Sequence, residues 1–194
     1  GHPMTGSEKT GILSATNTLL ENAYYIITPT ALTPKKEISE FRDFVLSLGA
    51  IPLILDYKIH DYSTAAISHL PHMIAYSLVN LVHQIDDDKE TMKTIAAGGF
   101  KDITRIASSS PVMWQNICAS NREPLLSLMD QYLALLTKLR GYIDSSNEQA
   151  LLSFFQQAKD YRDSITLPSV KSPTVYYECF VDLVDETGGI AAVA

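Results

Sequence analysis

The sequence predicts an α+β chain, mostly helical: the end of an α/β domain, then an all-helical domain, then the first strand of a third. Three observations carry this. A strand–helix–strand pattern occupies residues 1–58, stripes at helical spacing fill 59–167, and strand-like alternation returns within 168–194.

The first strand is Tyr24-Tyr25-Ile26-Ile27-Thr28, a β-prone run stopped by Pro29. Thr33-Pro34 reads as an N-cap followed by proline at the first helical position. Phe41, Phe44, Val45 and Leu48 then recur at helical spacing, and Gly49 closes the segment. Ala50-Ile51-Pro52-Leu53-Ile54-Leu55 is the next strand, placed at a sheet edge or near its own start by Pro52. Strand, helix, strand is a parallel crossover, and one such unit cannot cover both faces of a sheet. Residues 1–58 are therefore expected to be the last part of a larger α/β domain.

From about His60 the period becomes helical. Ile67, Leu70, Ile74, Leu78, Leu81 and Ile85 form one stripe, widened by Ala66, Met73, Tyr76, Val79 and Val82. Such a helix is expected to be buried nearly all round, and Pro71 to kink it or split off its first turns. Asp87-Asp88 is read as the start of a short helix that ends at Gly98-Gly99. Ser110-Pro111 is a second cap and first-position pair. Leu125, Met129, Tyr132, Leu136, Leu139 and Ile143 mark a long amphipathic helix, and Leu151, Phe154, Phe155, Ala158 and Tyr161 a last one. These helices carry more apolar surface than a small bundle hides, which points to an oligomer. Ser169-Val170-Lys171-Ser172-Pro173 reads as a linker, residues 176–183 as a strand, and Asp185-Glu186-Thr187-Gly188 as a turn before a nascent helix.

Composition limits the function. The 194 residues hold 15 Lys plus Arg against 22 Asp plus Glu, a formal charge of −7, which gives no footprint for a nucleic-acid backbone. At 46% apolar and 19% charged, the chain is too apolar for disorder. No apolar run reaches the roughly 18 to 20 residues that a membrane span needs, so no membrane is expected. No basic segment leads into an apolar one at the start, so no secretory signal is expected. Cys118 and Cys179 cannot make a disulfide framework, and a reducing cytoplasm is the default expectation.

Two clusters are candidates for chemistry. His69 and His72 are spaced three apart and can share a helix face beside Pro71, where freed backbone groups suit a pocket wall. With no HExxH motif and no cysteine or carboxylate to complete a set, hydrogen-bonded core histidines are favoured over a metal site. His60 and His83 are expected to face solvent or cap elements. In the second cluster, Gly98-Gly99 allows close backbone approach, and Lys101, Asp102 and Arg105 follow. Arg105 suits a bidentate grip on a carboxylate, although on spacing alone a glycine C-cap before a solvated turn is favoured. Cys118 reads as packing, and neither a GxGxxG motif nor a P-loop is present.

Gly1-His2-Pro3-Met4-Thr5-Gly6-Ser7-Glu8-Lys9, then Glu21-Asn22-Ala23-Tyr24-Tyr25 with Thr28-Pro29, resemble the prephenate dehydrogenases. So do Ser68-His69-Leu70-Pro71-His72 and the block from Gly98 to Ala107, with Ser109, Met113-Trp114 and Asn121-Arg122 continuing the match. This replaces the first reading of Gly1-His2-Pro3-Met4, which is a cloning scar. The stretch from Tyr176-Tyr177-Glu178 to Asp185-Glu186-Thr187-Gly188 is similar to the opening of an ACT regulatory domain.

The resemblance implies an oxidative decarboxylation. Prephenate and NAD⁺ give 4-hydroxyphenylpyruvate, carbon dioxide and NADH in tyrosine biosynthesis. It implies His2 as the base for the ring hydroxyl, Arg105 as the cation for the ring carboxylate, and His72 as a second pocket histidine. Gly98, Ser7, Glu8, Lys101 and Asp102 fall to the substrate and its polar network, with Ser109 and Trp114 in support. Dimerisation through residues 59–167 is implied, and so is a tyrosine effector near Asp185 and Gly188. The dinucleotide fingerprint of that family lies upstream of the catalytic histidine, so the chain is expected to be a piece of the enzyme, inactive alone. Arogenate dehydrogenase is the alternative activity, and a helical dimerisation and effector-binding module without catalysis is the alternative of another class.

Overall fold

The computed structural model describes residues 1–6, 11–12 and 15–165. The linker at 169–173, the strand at 176–183 and the Asp185–Gly188 turn lie outside them, as do Ser7 and Glu8.

A three-stranded sheet opens the chain, in the order β1 (His2–Pro3), β2 (Tyr24–Ile27), β3 (Ile51–Ile54). β2 and β3 are parallel, with Tyr24 opposite Ile51 and Ile27 opposite Ile54, joined by helix α1 (Lys35–Ser47). The expected crossover is therefore present, with Pro52 on an edge strand. β1 is an addition to the expectation: two residues pair antiparallel to β2, with His2 opposite Ile26. Ile27, Val45 and Ala50 form the small core between sheet and helix, with Leu20 and Tyr25 packed on it. Gly49 ends α1 at φ +76°, and a Cβ there would come within 3.3 Å of Glu21. The cap at the other end differs from the expectation. Pro34, not Thr33, is the N-cap, and the Thr33 hydroxyl instead accepts the Thr30 N–H at 3.1 Å, closing a local turn.

One continuous helical run, Tyr57–Ile85, follows. Asp56 caps it by accepting the Lys58 N–H at 2.8 Å, and α2 (Tyr57–Thr64) passes through a π-helical turn, Ala65–His69, into α3 (Leu70–Ile85). In that turn the Leu70 N–H reaches the Ala65 carbonyl, five residues back. The wide turn ends against Pro71, whose ring cannot share the preceding turn with the carbonyl four residues earlier. The expected split before Pro71 takes this form. The expected burial of the whole run does not hold: Ile67 is 68% exposed, Leu81 52% and Ile85 55%. Its apolar residues outnumber the surface that one protomer lays against it. By length and composition the run also suffices to cross a membrane, which no unbroken apolar stretch of the sequence announced, because Ser68, His69, His72, Asn80 and His83 interrupt it.

The remaining elements are α4 (Thr91–Ile95), α5 (Gly98–Thr104), a 3₁₀ turn (Arg105–Ser108), α6 (Pro111–Ser120), α7 (Arg122–Asp144) and α8 (Glu148–Ser164). Asp87-Asp88 does not start α4, which begins at Thr91; Asp86 and Asp87 serve it from outside. Their carboxylates accept the N–H groups of Met92, Lys93 and Thr91, the free donors of its first turn. Gly98 and Gly99 do not close a helix, as the spacing favoured; they are the first residues of α5. The cap and proline at Ser110-Pro111 stand as expected, Ser110 accepting the Met113 N–H at 3.4 Å. Asn147 caps α8, which folds back on α7.

Candidate active site

Where β1 meets the long helical run, a cavity of about 460 Å³ is lined by His2 and the following residues to Gly6, by Ile67, Ser68 and His72, and by Ile106, Ser109, Met113 and Trp114. Four residues singled out in the sequence thus converge: His2, His72, Ser109 and Trp114. Each is set by its element. Pairing of β1 with β2 fixes His2 beside the carboxyl ends of the parallel strands, the end at which open α/β sheets take ligands. α3 carries His72, α6 carries the buried Trp114, and the 3₁₀ turn delivers Ser109.

His72 is held on both sides. Its Nδ1–H donates to the Ser68 carbonyl at 2.8 Å, since a carbonyl only accepts, so Nε2 is the acceptor when the ring is neutral. The ring stacks on the Trp114 indole, and His69 meets the same indole edge-on at 5.9 Å. Trp114 Nε1–H is buried with no acceptor among the described residues. Ser109 is buried, its hydroxyl donating to the Ile106 carbonyl at 2.8 Å while its own carbonyl accepts the Tyr76 hydroxyl at 2.9 Å.

His69 reports its own protonation. The Asn121 amide nitrogen donates to the Asp61 carbonyl at 2.8 Å, which fixes the amide's orientation. The same nitrogen lies 3.2 Å from His69 Nδ1, so that ring nitrogen accepts and the ring is neutral. Burial pushes His69 below its ordinary value of 6.5, and the nearby His2, His72 and His60 add to it, against the pull of Asp61. Burial likewise lowers His72, partly offset by the Ser68 carbonyl, and burial followed by His60 lowers His2. The pocket therefore keeps neutral imidazoles near pH 7.

His60 departs from its expected place at the surface. Its side chain is 17% exposed and its Nε2 lies 2.8 Å from His2 Nδ1. The pairing of a two-residue strand brings His2 to this contact, and so short a strand leaves no mark in the apolar pattern. His83 is exposed, as expected. Lys101 lines a different cleft of about 590 Å³, with His83, Asp86, Asp87 and Lys93. Asp102, Gly98 and Arg105 are exposed on the same segment, and Arg105 immediately precedes the pocket-lining Ile106. Among the described residues, no three His, Cys, Asp or Glu side chains gather into a metal set.

A parallel strand–helix–strand end, a helical domain with unpartnered apolar faces and a histidine pocket where they meet define the class: an α/β unit joined to a helical domain around one pocket. Residues 1–52 match the family model for the prephenate dehydrogenase nucleotide-binding domain, and residues 56–157 that for the prephenate dehydrogenase dimerization domain. The chain belongs to the prephenate dehydrogenase family. It is 38% identical to a prephenate dehydrogenase of Bacillus subtilis (strain 168) over 193 residues, 100% of this chain and 52% of that protein. It resembles the crystal structure of prephenate dehydrogenase from A. aeolicus in complex with hydroxyphenyl propionate and NAD+, at TM-score 0.80 and 31% identity over 85% of this chain and 58% of that one. Synechocystis arogenate dehydrogenase also matches, at TM-score 0.75 and 29% identity over 84% of this chain and 59% of that one. The chain spans about half the length of the curated relatives it matches.

Proposed function

We propose that this chain forms the substrate side of an NAD⁺-dependent prephenate dehydrogenase. The observation that carries the reading is the convergence of His2, His72, Ser109 and Trp114 on one pocket. In this reading a neutral His2 accepts the proton of the ring hydroxyl, a task suited to an imidazole whose charged form burial disfavours. Bound NAD⁺ would accept the hydride from the same carbon. The described residues fit the substrate end of that reaction; the glycine turn that holds a pyrophosphate is not among them. His72 Nε2 orients a polar group of the substrate, and the Trp114 indole forms a flat wall for the ring. Arg105 binds the ring carboxylate, whose loss as carbon dioxide makes the ring aromatic. Gly98 and Asp102, on the segment that carries Arg105, and Ser7 and Glu8, which follow the pocket-lining Gly6, complete the polar surround in this reading, while Lys101 faces the neighbouring cleft.

The unpartnered faces of α3 and α7 support a homodimer, as the matched domain's description does for its family. A second copy offers the apolar run Tyr57–Ile85 an alternative to lipid. The two cysteines, too few for a disulfide framework, support a cytoplasmic setting. Tyrosine is the proposed effector through residues from Asp185 to Gly188, on the strength of their resemblance to an ACT opening; calorimetry with tyrosine, with and without residues 168–194, tests that.

The direct test of the activity is NADH formation from prephenate and from arogenate by a polypeptide carrying this sequence at the relatives' full length. Preference for prephenate is expected, because no described residue lining the pocket offers a carboxylate to the ammonium group that arogenate carries in place of the keto group. Turnover of arogenate alone would select the alternative that the Synechocystis neighbour represents.

A further inference from the structure

We propose that Asp61 and His60 are positioning residues that fix the tautomer of His2 and leave its Nε2 as the free acceptor. The inference rests on the reading of His2 as the base, and deepens it.

The argument is one of donors and acceptors. Asp61 Oδ1 lies 2.8 Å from His60 Nδ1, and a carboxylate accepts, so His60 Nδ1 carries a proton. In a neutral ring His60 Nε2 is then a bare lone pair. That lone pair faces His2 Nδ1 at 2.8 Å, so His2 Nδ1 must donate. A neutral His2 has only one N–H, so its Nε2 is unprotonated. The chain Asp61–His60–His2 thus passes the orientation imposed by one carboxylate, through two rings, to the atom that accepts the substrate proton. The groups around it agree: His69 and His72, the other imidazoles of the cluster, are both held neutral, and the Gly1 amino group adds to the disfavouring of a charged His2. His60 is anchored on α2 next to Asp61, so neither ring needs to search for its partner. The ring centroids of His2 and His60 are 5.1 Å apart with planes 69° from parallel, and a nitrogen contact of 2.8 Å at that separation sets the two rings in line through their nitrogens.

In the reaction the hydroxyl proton moves to His2 Nε2, and the imidazolium so formed keeps its Nδ1–H on His60. No proton need leave His60 or reach Asp61. Without His60, His2 would be free to carry its proton on Nε2, where it blocks the acceptor.

Imidazole nitrogen NMR on this chain and steady-state kinetics on the full-length polypeptide test the proposal together. In the unaltered protein His2 is expected to carry its proton on Nδ1. His60→Leu should move that proton toward Nε2 and lower kcat by about tenfold or more, with KM for prephenate nearly unchanged. His60→Gln, whose amide oxygen can still accept, should restore the tautomer and most of kcat. Asp61→Ala should release His60 and shift the His2 tautomer in the same direction as His60→Leu. An Nε2 proton on His2 in the unaltered protein would overturn the proposal. So would a kcat loss in His60→Leu without a tautomer change, or no rescue by His60→Gln. Unchanged turnover in His2→Asn would instead overturn the reading of His2 as the base, and the NMR result would still decide the tautomer.

Discussion

The ring of His72 lies over the indole of Trp114 with centroids 3.7 Å apart and planes 26° from parallel. The indole is 6% exposed and braces the ring from α6 while the Ser68 carbonyl holds it from its own helix. Trp114→Ala should destabilise the chain by about 3–5 kcal/mol, the usual range for a buried tryptophan. Trp114→Phe should cost less, because the indole N–H it removes has no acceptor among the described residues. Chemical denaturation of the two variants checks the order.

His2→Asn in the full-length polypeptide should lower kcat by roughly 10²- to 10⁴-fold, with a small change in KM for prephenate. A base acts in the transition state more than in binding, so steady-state kinetics separate the two.

Arg105→Ala should raise the KM for prephenate roughly ten- to a hundredfold, the worth of a charge-assisted pair of about 1.5–3 kcal/mol. The KM for NAD⁺ should stay nearly constant. A rise for NAD⁺ alone would assign Arg105 to the cofactor.

His2, His69 and His72 all sit below their ordinary 6.5 in the folded chain. Unfolded, they bind protons at the ordinary value, so between the two values the unfolded chain holds more protons. The stability linked to them is complete above about pH 6.5 and falls as pH drops through the folded values. Thermal unfolding should show a Tm that declines below pH 6.5, with a shallower decline in His69→Gln. Turnover should persist through pH 6.5 and fall only below it, since His2 remains neutral there.

Leu133 and Leu136 are 57% and 41% exposed on α7, beside a groove also lined by Leu70, Ile74, Leu78 and Leu81. Sedimentation at micromolar concentration without detergent should give a dimer, and Leu133→Glu should give monomers. A monomer in the unaltered chain would remove the dimer reading.

The crossover of β2, α1 and β3 was legible because Gly49 and Pro52 punctuate apolar runs of distinct period. The long helices were legible from their stripes. His72, Trp114 and His2 were legible as site residues only through family resemblance, since lone histidines and a tryptophan at helical spacing usually mean core. The sequence misled at Gly98-Gly99, where a glycine pair serves either end of a helix. It misled at the buried stripe too, because periodicity records how much apolar surface exists and not which molecule covers it. His60 escaped notice for a further reason: its partner is 58 residues away on a strand too short to show alternation.

The π turn at Ala65–His69 makes the histidine cluster depend on residue count as well as residue identity. At about 100° per residue, an unbroken α-helix would put His69 roughly opposite His60, and His72 about 120° away. The additional residue taken up by the wide turn removes about one such step. His60 and His72 then fall within about 20° of each other, with His69 about 80° from His60. Straightening the wide turn without removing a residue would swing His72 by about 100° from His60, whereas deleting one residue between 65 and 68 would set them eleven residues apart and restore the same separation of about 20°. The cluster thus depends on the wide turn only while the additional residue is present, so a homologous chain one residue shorter here can carry the same imidazoles in the same phase on a regular helix.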